Sequence, residues 1–290
     1  MRRFLSLGAL FSLSTMWLYC QSAPLTLRQA CAKFSDAVVQ IDAGGVSRGS
    51  GFLVSPDGLI LTASHVVMDT DGKYHPAIFV TLSNGDLESA VPAVPASPDS
   101  VGEDFALLKI NAKSPLPFLT LGSVDEVVIG DDATIIGFPF SAISPINESV
   151  SKKFCLQASF AATEIIGRDI SESQKAKTGF IQVNKHVTVD VIYFQGPSVK
   201  GISGSPIISR GTGNVVGIVS TKLTGIGPAL NGLKDATANG FGMTFVGVDA
   251  GKAFNQIVVV LDEQLANGLG SAVGIDDPKE ALKQTQRHKD

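Results

Sequence analysis

The chain has 290 residues, 44% of them hydrophobic and 17% charged, with a formal net charge of -4. That length is ample for a buried core, as one large β domain or two smaller ones. The weak acidity and the lack of any long Lys/Arg block exclude nucleic acid as the main partner, because phosphate binding needs a concentrated basic surface.

The chain opens with "MRRFLSLGALFSLSTMWLYCQSA", in which two arginines precede an apolar run and then small and polar residues. This is the layout of a secretory signal peptide, expected over residues 1–22. The run is shorter and richer in serine than the roughly 20 apolar residues of a spanning helix. The expected destination is therefore export, to a periplasm or the extracellular space. The alternative is a lipoprotein anchored at Cys20, which the bulky Tyr19 disfavours; only then is a membrane a partner. Cys31 and Cys155 remain as an even pair, either bridged in an oxidising compartment or present as two buried thiols.

After the leader, Leu27, Cys31, Phe34 and Val38 recur at helical spacing in "TLRQACAKFSDAVVQ" (residues 26–40), so a short amphipathic helix opens the domain. Strand-like runs follow at 37–43, 49–55, 59–63, 78–83, 105–111, 132–139, 155–163, 179–193, 205–209, 214–222 and 241–248. They are rich in Val, Ile, Phe and Thr and are broken by turn clusters such as "SPDG", "SNGD" and "RGTGN". Many short strands with close turns predict an antiparallel sandwich or barrel. The long polar stretch 141–178 is expected to contain an extended surface loop. Phe254, Ile257, Val258, Leu261 and Leu265 predict a C-terminal helix over 250–266, stopped by Gly268. The expected division is a folded domain over 23–268 and a loose polar tail over 269–290.

Three segments carry chemistry. "GISGSPI" sets Ser203 between Gly201 and Gly204, which on its own reads as a tight turn. "TASHVV" places His65 at the end of a strongly apolar strand, where a lone histidine is most often a packed core residue. His75 and His288 fall in polar segments, and His186 is the one rival. "DFALLKI" puts Asp104 at the mouth of an apolar strand, where a surface acid is the bland alternative. Together, and in the order His, Asp, Ser, these segments resemble the signature segments of trypsin-like (chymotrypsin-fold) serine proteases, nearest the bacterial, HtrA-type branch. The similarity runs over about residues 30–265.

That resemblance implies a mostly β fold, a double six-stranded antiparallel β-barrel with a short N-terminal helix and a C-terminal helix. It implies a serine endopeptidase acting on polypeptides through Ser203 as nucleophile, His65 as base and Asp104 as its orienter. The amides of Gly201 and Ser203 would form the oxyanion hole. The pocket stretches fall at Phe194–Lys200, Ser220–Lys222 and Gly240–Gly242, so Ser220, Thr221, Lys222 and Gly242 are expected to bind substrate. None of these stretches holds a carboxylate or a histidine, and a small or medium apolar preference is the default. Ile202 stands where digestive members carry an aspartate. Too few residues follow the last expected helix for a PDZ-like module.

A competing signal, "GVSRG" around Ser47, matches an α/β-hydrolase elbow, but a strand follows it where that elbow needs a helix. No metal site and no cofactor are expected, since the histidines are scattered and no H-E-x-x-H helix or cysteine cluster occurs. The alternative function is a binding or chaperone protein on a protease fold, with a misaligned triad.

Overall fold

The computed structural model describes residues 23–69, 71–94, 104–139, 152–176, 179–198, 201–220, 244–245, 248–249 and 269–287, with backbone alone at 166–188, 244–245, 248–249, 269–270 and 287. The first element is helix α1 (Leu27–Phe34), and its start is written in the sequence. The Thr26 hydroxyl accepts from the Gln29 N–H, and the Gln29 side chain accepts from the Thr26 N–H at 2.9 Å. This reciprocal cap satisfies two donors that the first turn would otherwise leave unpaired. Ala30 and Phe34 face the core, and the chain turns into a strand at Val38, within the strand expected over 37–43.

Two closed antiparallel barrels follow. The first runs β1 (Val38–Ala43), β2 (Ser47–Leu53), β3 (Leu59–Thr62), β4 (Ile78–Thr81), β5 (Leu87–Pro92) and β6 (Ala106–Ile110), in the order β1-β2-β3-β6-β5-β4. The second is built from β7 (Asp132–Gly137), β8 (Phe154–Ala176), β9 (Gly179–Gln195), β10 (Pro206–Ser209), β11 (Val215–Val219) and β14 (Leu269–Gly274), in the order β10-β11-β14-β9-β8-β7. Closure removes the free edges that would otherwise recruit other strands. Two-residue strands β12 (Thr244–Phe245) and β13 (Val248–Asp249) pair with each other. They are all that is described of the strand expected at 241–248.

The core crosses between the barrels. Ile136, Phe138, Ile208, Val215 and Ile218 of the second barrel belong to one buried cluster with Phe52, Ile60, Leu61, Leu107 and Leu108 of the first. This apolar contact fixes one barrel against the other, which matters because the candidate residues come from both.

Several expectations are corrected. Strand β5 was not anticipated; its "LESAVP" alternates weakly, and the pattern shows only Ala90 buried. Strand β8 reaches Ala176, so residues 159–176 of the stretch expected to contain a surface loop lie in a strand paired with β9, register held to Ala176↔Gly179, while 140–151 lie outside the described residues. Residues 269–287 are not a loose tail. They supply β14, which closes the second barrel between β9 and β11, and helix α3 (Asp276–Arg287). The folded unit therefore extends past residue 268. Asp276 and Asp277 lie in the first turn of α3, where negative charge suits the helix dipole. Leu282 alone of its mid-helix side chains is fully packed into the core. The leader 1–22, the expected helix 250–266 and Gly268 lie outside the described residues.

Cys31 in α1 and Cys155 at the start of β8 are bonded, with Cα atoms 5.9 Å apart. The bond staples the helix that precedes the first barrel onto the second. For a sequence separation of 124 residues, chain-entropy reasoning gives a stabilisation on the order of 4–5 kcal/mol.

Candidate active site

Strand β3 ends at Thr62, and Ala63 caps a single helical turn, α2 (Ser64–Val67), that carries His65. This agrees with the expectation that His65 stands at the end of an apolar strand, and adds the helical turn. Val66 and Val67 are buried and the Met68 N–H bonds back to the Ser64 carbonyl at 2.8 Å, so the turn is anchored from below. The His65 side chain keeps 16% exposure, enough to meet a ligand from solvent.

Asp104 precedes β6 with φ of 55°, the one left-handed non-glycine among the described residues. Such a conformation costs a side-chain-bearing residue on the order of 1 kcal/mol, and aspartate tolerates it better than most. In exchange the carboxylate enters the core at 1% exposure, under α2. Both of its oxygens lie 2.9 Å from His65 Nδ1. Oδ1 also accepts from the His65 main-chain N–H at 3.1 Å and from Ser64 Oγ at 2.8 Å. Oδ2 accepts from the Ser220 hydroxyl. Burial pushes the Asp104 carboxyl up, but the His65 ring, Ser220 and Ser64 outweigh it and hold the group below the ordinary carboxylate value. An ionised carboxylate can only accept, so the proton of a neutral imidazole sits on Nδ1 and Nε2 is the basic nitrogen.

Ser203 comes from the second barrel, on the turn before β10. Gly201 (φ 102°) and Gly204 (φ 83°) adopt left-handed conformations on either side of it. Gly204 is also forced by space. A Cβ there would overlap the Ser50 carbonyl and the Thr62 hydroxyl and lie 3.1 Å from the Ala63 nitrogen, the residue that caps α2. At Gly49 a Cβ would sit 2.7 Å from Val66 and 2.9 Å from the Ser203 carbonyl. The two missing side chains thus let the Ser203 turn close onto the base of the histidine turn. The Ser203 carbonyl accepts from the Ser50 N–H at 2.8 Å, and the Gly204 N–H donates to Val219 at 2.8 Å, tying the turn to both barrels.

The expected pocket residues fare differently. Ser220 is fully buried; its hydroxyl donates to Asp104, its N–H donates to the Ser271 carbonyl and its own carbonyl accepts from Ser271 Oγ. Its hydroxyl orients the carboxylate, and its carbonyl keeps one lone pair beyond the bond from Ser271. Thr221, Lys222 and Gly242 lie outside the described residues. Phe194 is fully buried in the second-barrel core, and so is Ile202. Ser47, the centre of the competing motif, opens β2 opposite Ala43 in the first barrel. Among the described residues no group of His, Cys, Asp and Glu could hold a metal ion, and no helix is long and apolar enough to cross a membrane.

Sequence reasoning missed two contributors. Ser64, next to His65, offered a cue: a small hydroxyl residue beside the histidine. Ser50, in "GSG", offered none, because its partners lie 88 and 151 residues away.

The trypsin-like peptidase domain family matches residues 49–218, a span that includes His65, Asp104 and Ser203. The chain is 42% identical over 103 residues to a "Probable periplasmic serine endoprotease DegP-like" of Chlamydia pneumoniae, covering 36% of this chain and 19% of that one. It is 33% identical over 182 residues to "Serine protease HTRA2, mitochondrial" of Bos taurus, 62% of this chain and 32% of that one. A similar match, 32% over 186 residues, is to "Serine protease HTRA1" of Xenopus laevis, 61% of this chain and 32% of that one. The matched part thus spans a third or less of each of these relatives. The family match covers more than half of this chain, and both barrels are complete: the chain belongs to the trypsin-like peptidase domain family.

Proposed function

We propose that this protein is an exported serine endopeptidase working through His65, Asp104 and Ser203. The observation that carries the reading is the buried Asp104 carboxylate held on His65 Nδ1 beneath the Ser203 turn. A serine hydroxyl is a weak nucleophile at neutral pH, so His65 Nε2 takes its proton as Ser203 Oγ attacks the peptide carbonyl carbon. The carbonyl π electrons move to oxygen, and the amides of Gly201 and Ser203 receive that oxyanion. Each such donor is worth about 3–4 kcal/mol in proteases where it has been removed. The C–N bond then breaks, His65 protonates the leaving amine, and an ester to Ser203 remains. Water, deprotonated by His65, attacks the ester and the same steps in reverse free the serine. Throughout, Asp104 stays ionised and steadies the imidazolium.

Export is supported by the signal-peptide layout of residues 1–22, by the Cys31–Cys155 bond, since disulfides persist in oxidising compartments, and by the one relative named above as periplasmic. The test is labelling of the purified protein by a fluorophosphonate probe, which reacts only with an activated serine. Labelling of the wild type that is lost in Ser203→Ala is expected. Refusal of the folded wild type to label would favour the binding or chaperone alternative.

A further inference from the structure

We propose that Ser50 is the positioning residue of the oxyanion hole, a role that rests on the Ser203 reading above. Ser50 lies in β2 of the first barrel and is fully buried. All three of its polar groups are engaged, the hydroxyl twice. Its N–H donates to the Ser203 carbonyl at 2.8 Å and its carbonyl accepts from Thr62 Oγ1 at 2.7 Å. Its hydroxyl donates to the Gly201 carbonyl at 2.8 Å and accepts from the Phe138 N–H at 2.9 Å, just past the end of β7. One residue of the first barrel therefore grips the carbonyls of the same two residues, 201 and 203, whose amides are the hole's donors.

The consequence follows from backbone geometry. Each gripped carbonyl fixes the peptide plane that follows its residue, 201–202 and 203–204. The 202–203 plane that carries the Ser203 amide is thus held between two anchored neighbours, and the 200–201 plane that carries the Gly201 amide adjoins one. Between residues 201 and 203, the buried Ile202 side chain pins the middle of the turn. At Gly201 the left-handed φ of 102° leaves the backbone free to choose among conformations that other residues cannot enter, so an external anchor is needed there most.

The hydroxyl also keeps two groups apart. Without it, the Gly201 carbonyl and the Phe138 N–H are a buried acceptor and a buried donor, each unpaired and facing the same small space. Buried polar groups do not stay unpaired at little cost. They would close on each other and turn the 201–202 peptide, dragging the adjoining planes that carry the Gly201 and Ser203 amides. The hole would lose its alignment while the His65–Asp104 pair stayed intact.

The test uses the full chain, the p-nitroanilide of a peptide that the wild type cleaves in casein, and the matching peptide aldehyde. The aldehyde forms a hemiacetal whose oxyanion occupies the hole. Ser50→Ala should lower kcat about 100-fold, near the 10²–10³ of a lost oxyanion donor. KM should stay within about threefold, and the aldehyde's Ki should rise in parallel with the fall in kcat. Ser50→Thr, which keeps the hydroxyl, should recover most of the lost kcat. Folding is checked by circular dichroism at the assay temperature. If Ser50→Ala does not fold, Ser50→Cys is read in its place: a thiol is a weak donor, and a tenfold fall in kcat at constant KM is expected. Folded Ser50→Ala or Ser50→Cys with wild-type kcat and Ki overturns the proposal while leaving Ser203 in its role. Activity retained in Ser203→Ala would overturn both.

Discussion

Asp104 holds His65 twice, by the ring Nδ1 at 2.9 Å and by the main-chain N–H at 3.1 Å. The second contact ties the carboxylate to the histidine's own backbone, so ring and carboxylate cannot drift apart unless α2 opens. An amide in place of the carboxylate could keep the packing but would offer the ring a donor and favour the wrong tautomer. Asp104→Asn should therefore keep the wild-type circular dichroism and lose about 10⁴ in kcat, the size of the same exchange in the triad template. Ser203→Ala and His65→Ala should lose several orders of magnitude each, and the double variant little more than either, because the three act as a unit. Ser47→Ala should retain most activity. Peptide hydrolysis measured across this set decides the assignment; an active Ser203→Ala sinks it.

The hydroxyls of Ser64 and Ser220 help hold Asp104 ionised below the ordinary carboxylate value. A depressed folded-state value contributes stability that is complete above the unfolded-state value and is lost as pH falls through the folded one. Ser64→Ala removes one donor and moves the folded value back up. Its acid unfolding should begin at higher pH than that of the wild type. At neutral pH it should cost about 1.5–3 kcal/mol, the range for a hydrogen bond to a charged group. Near-ultraviolet circular dichroism against pH gives the midpoint, and coincident curves would remove Ser64 from the account.

Across the second barrel the carboxyl of Asp190 is raised, first by burial and then by Asp276 and Asp125. Here the sign is opposite. A raised acid favours folding while protonated and loses that advantage as pH climbs from the unfolded-state value through the folded one. Asp190→Asn should stabilise the protein at pH 7, by less than about 1 kcal/mol because the site is largely open to solvent. The gain should shrink in high salt, which screens the Asp276 and Asp125 share, and vanish in acid. Thermal melts at two pH values and two salt concentrations test this; a lower melting temperature at pH 7 contradicts it.

Ile202 fills an apolar site with Ile135, Phe160 and Phe194, directly before Ser203. A newly exposed α-amino group would find no carboxylate there, and one charge alone in such a site carries a penalty of several kcal/mol. Chains beginning at Ala23, with and without extra residues fused in front, should hydrolyse peptides at equal rates. A large gain on exposing one particular amino terminus would show activation by a buried terminus after all.

The candidate triad was legible because each member sits in a short apolar segment whose order along the chain is distinctive. Alone each of His65, Asp104 and Ser203 has a bland reading, and it is the resemblance of the three segments to trypsin-like proteases that singles them out. The supporting shell was not legible for the opposite reason. Ser50 looks like any small residue between glycines, and its role exists only once Phe138 and Gly201 arrive from the second barrel. Strand β14 was hidden by composition. Its "LGSAVG" reads as a linker, yet Gly274 is a glycine because a Cβ there would lie 2.6 Å from Val124 and 2.7 Å from Asp190. Helix α3 shows mostly polar side chains, since it lays only a narrow edge against the core.

The Cys31–Cys155 bond also has a topological consequence. It turns residues 31–155 into a covalent ring that contains His65 and Asp104 and leaves Ser203 outside. One cut anywhere inside that ring, by this protein or another protease, opens the ring without releasing a fragment. One cut between residue 155 and Ser203 separates the nucleophile's segment from its base. Nicks of the first kind should be silent on a non-reducing gel and visible only after reduction, so molecules that look intact could carry a severed first barrel held in place by a single pair of sulfurs.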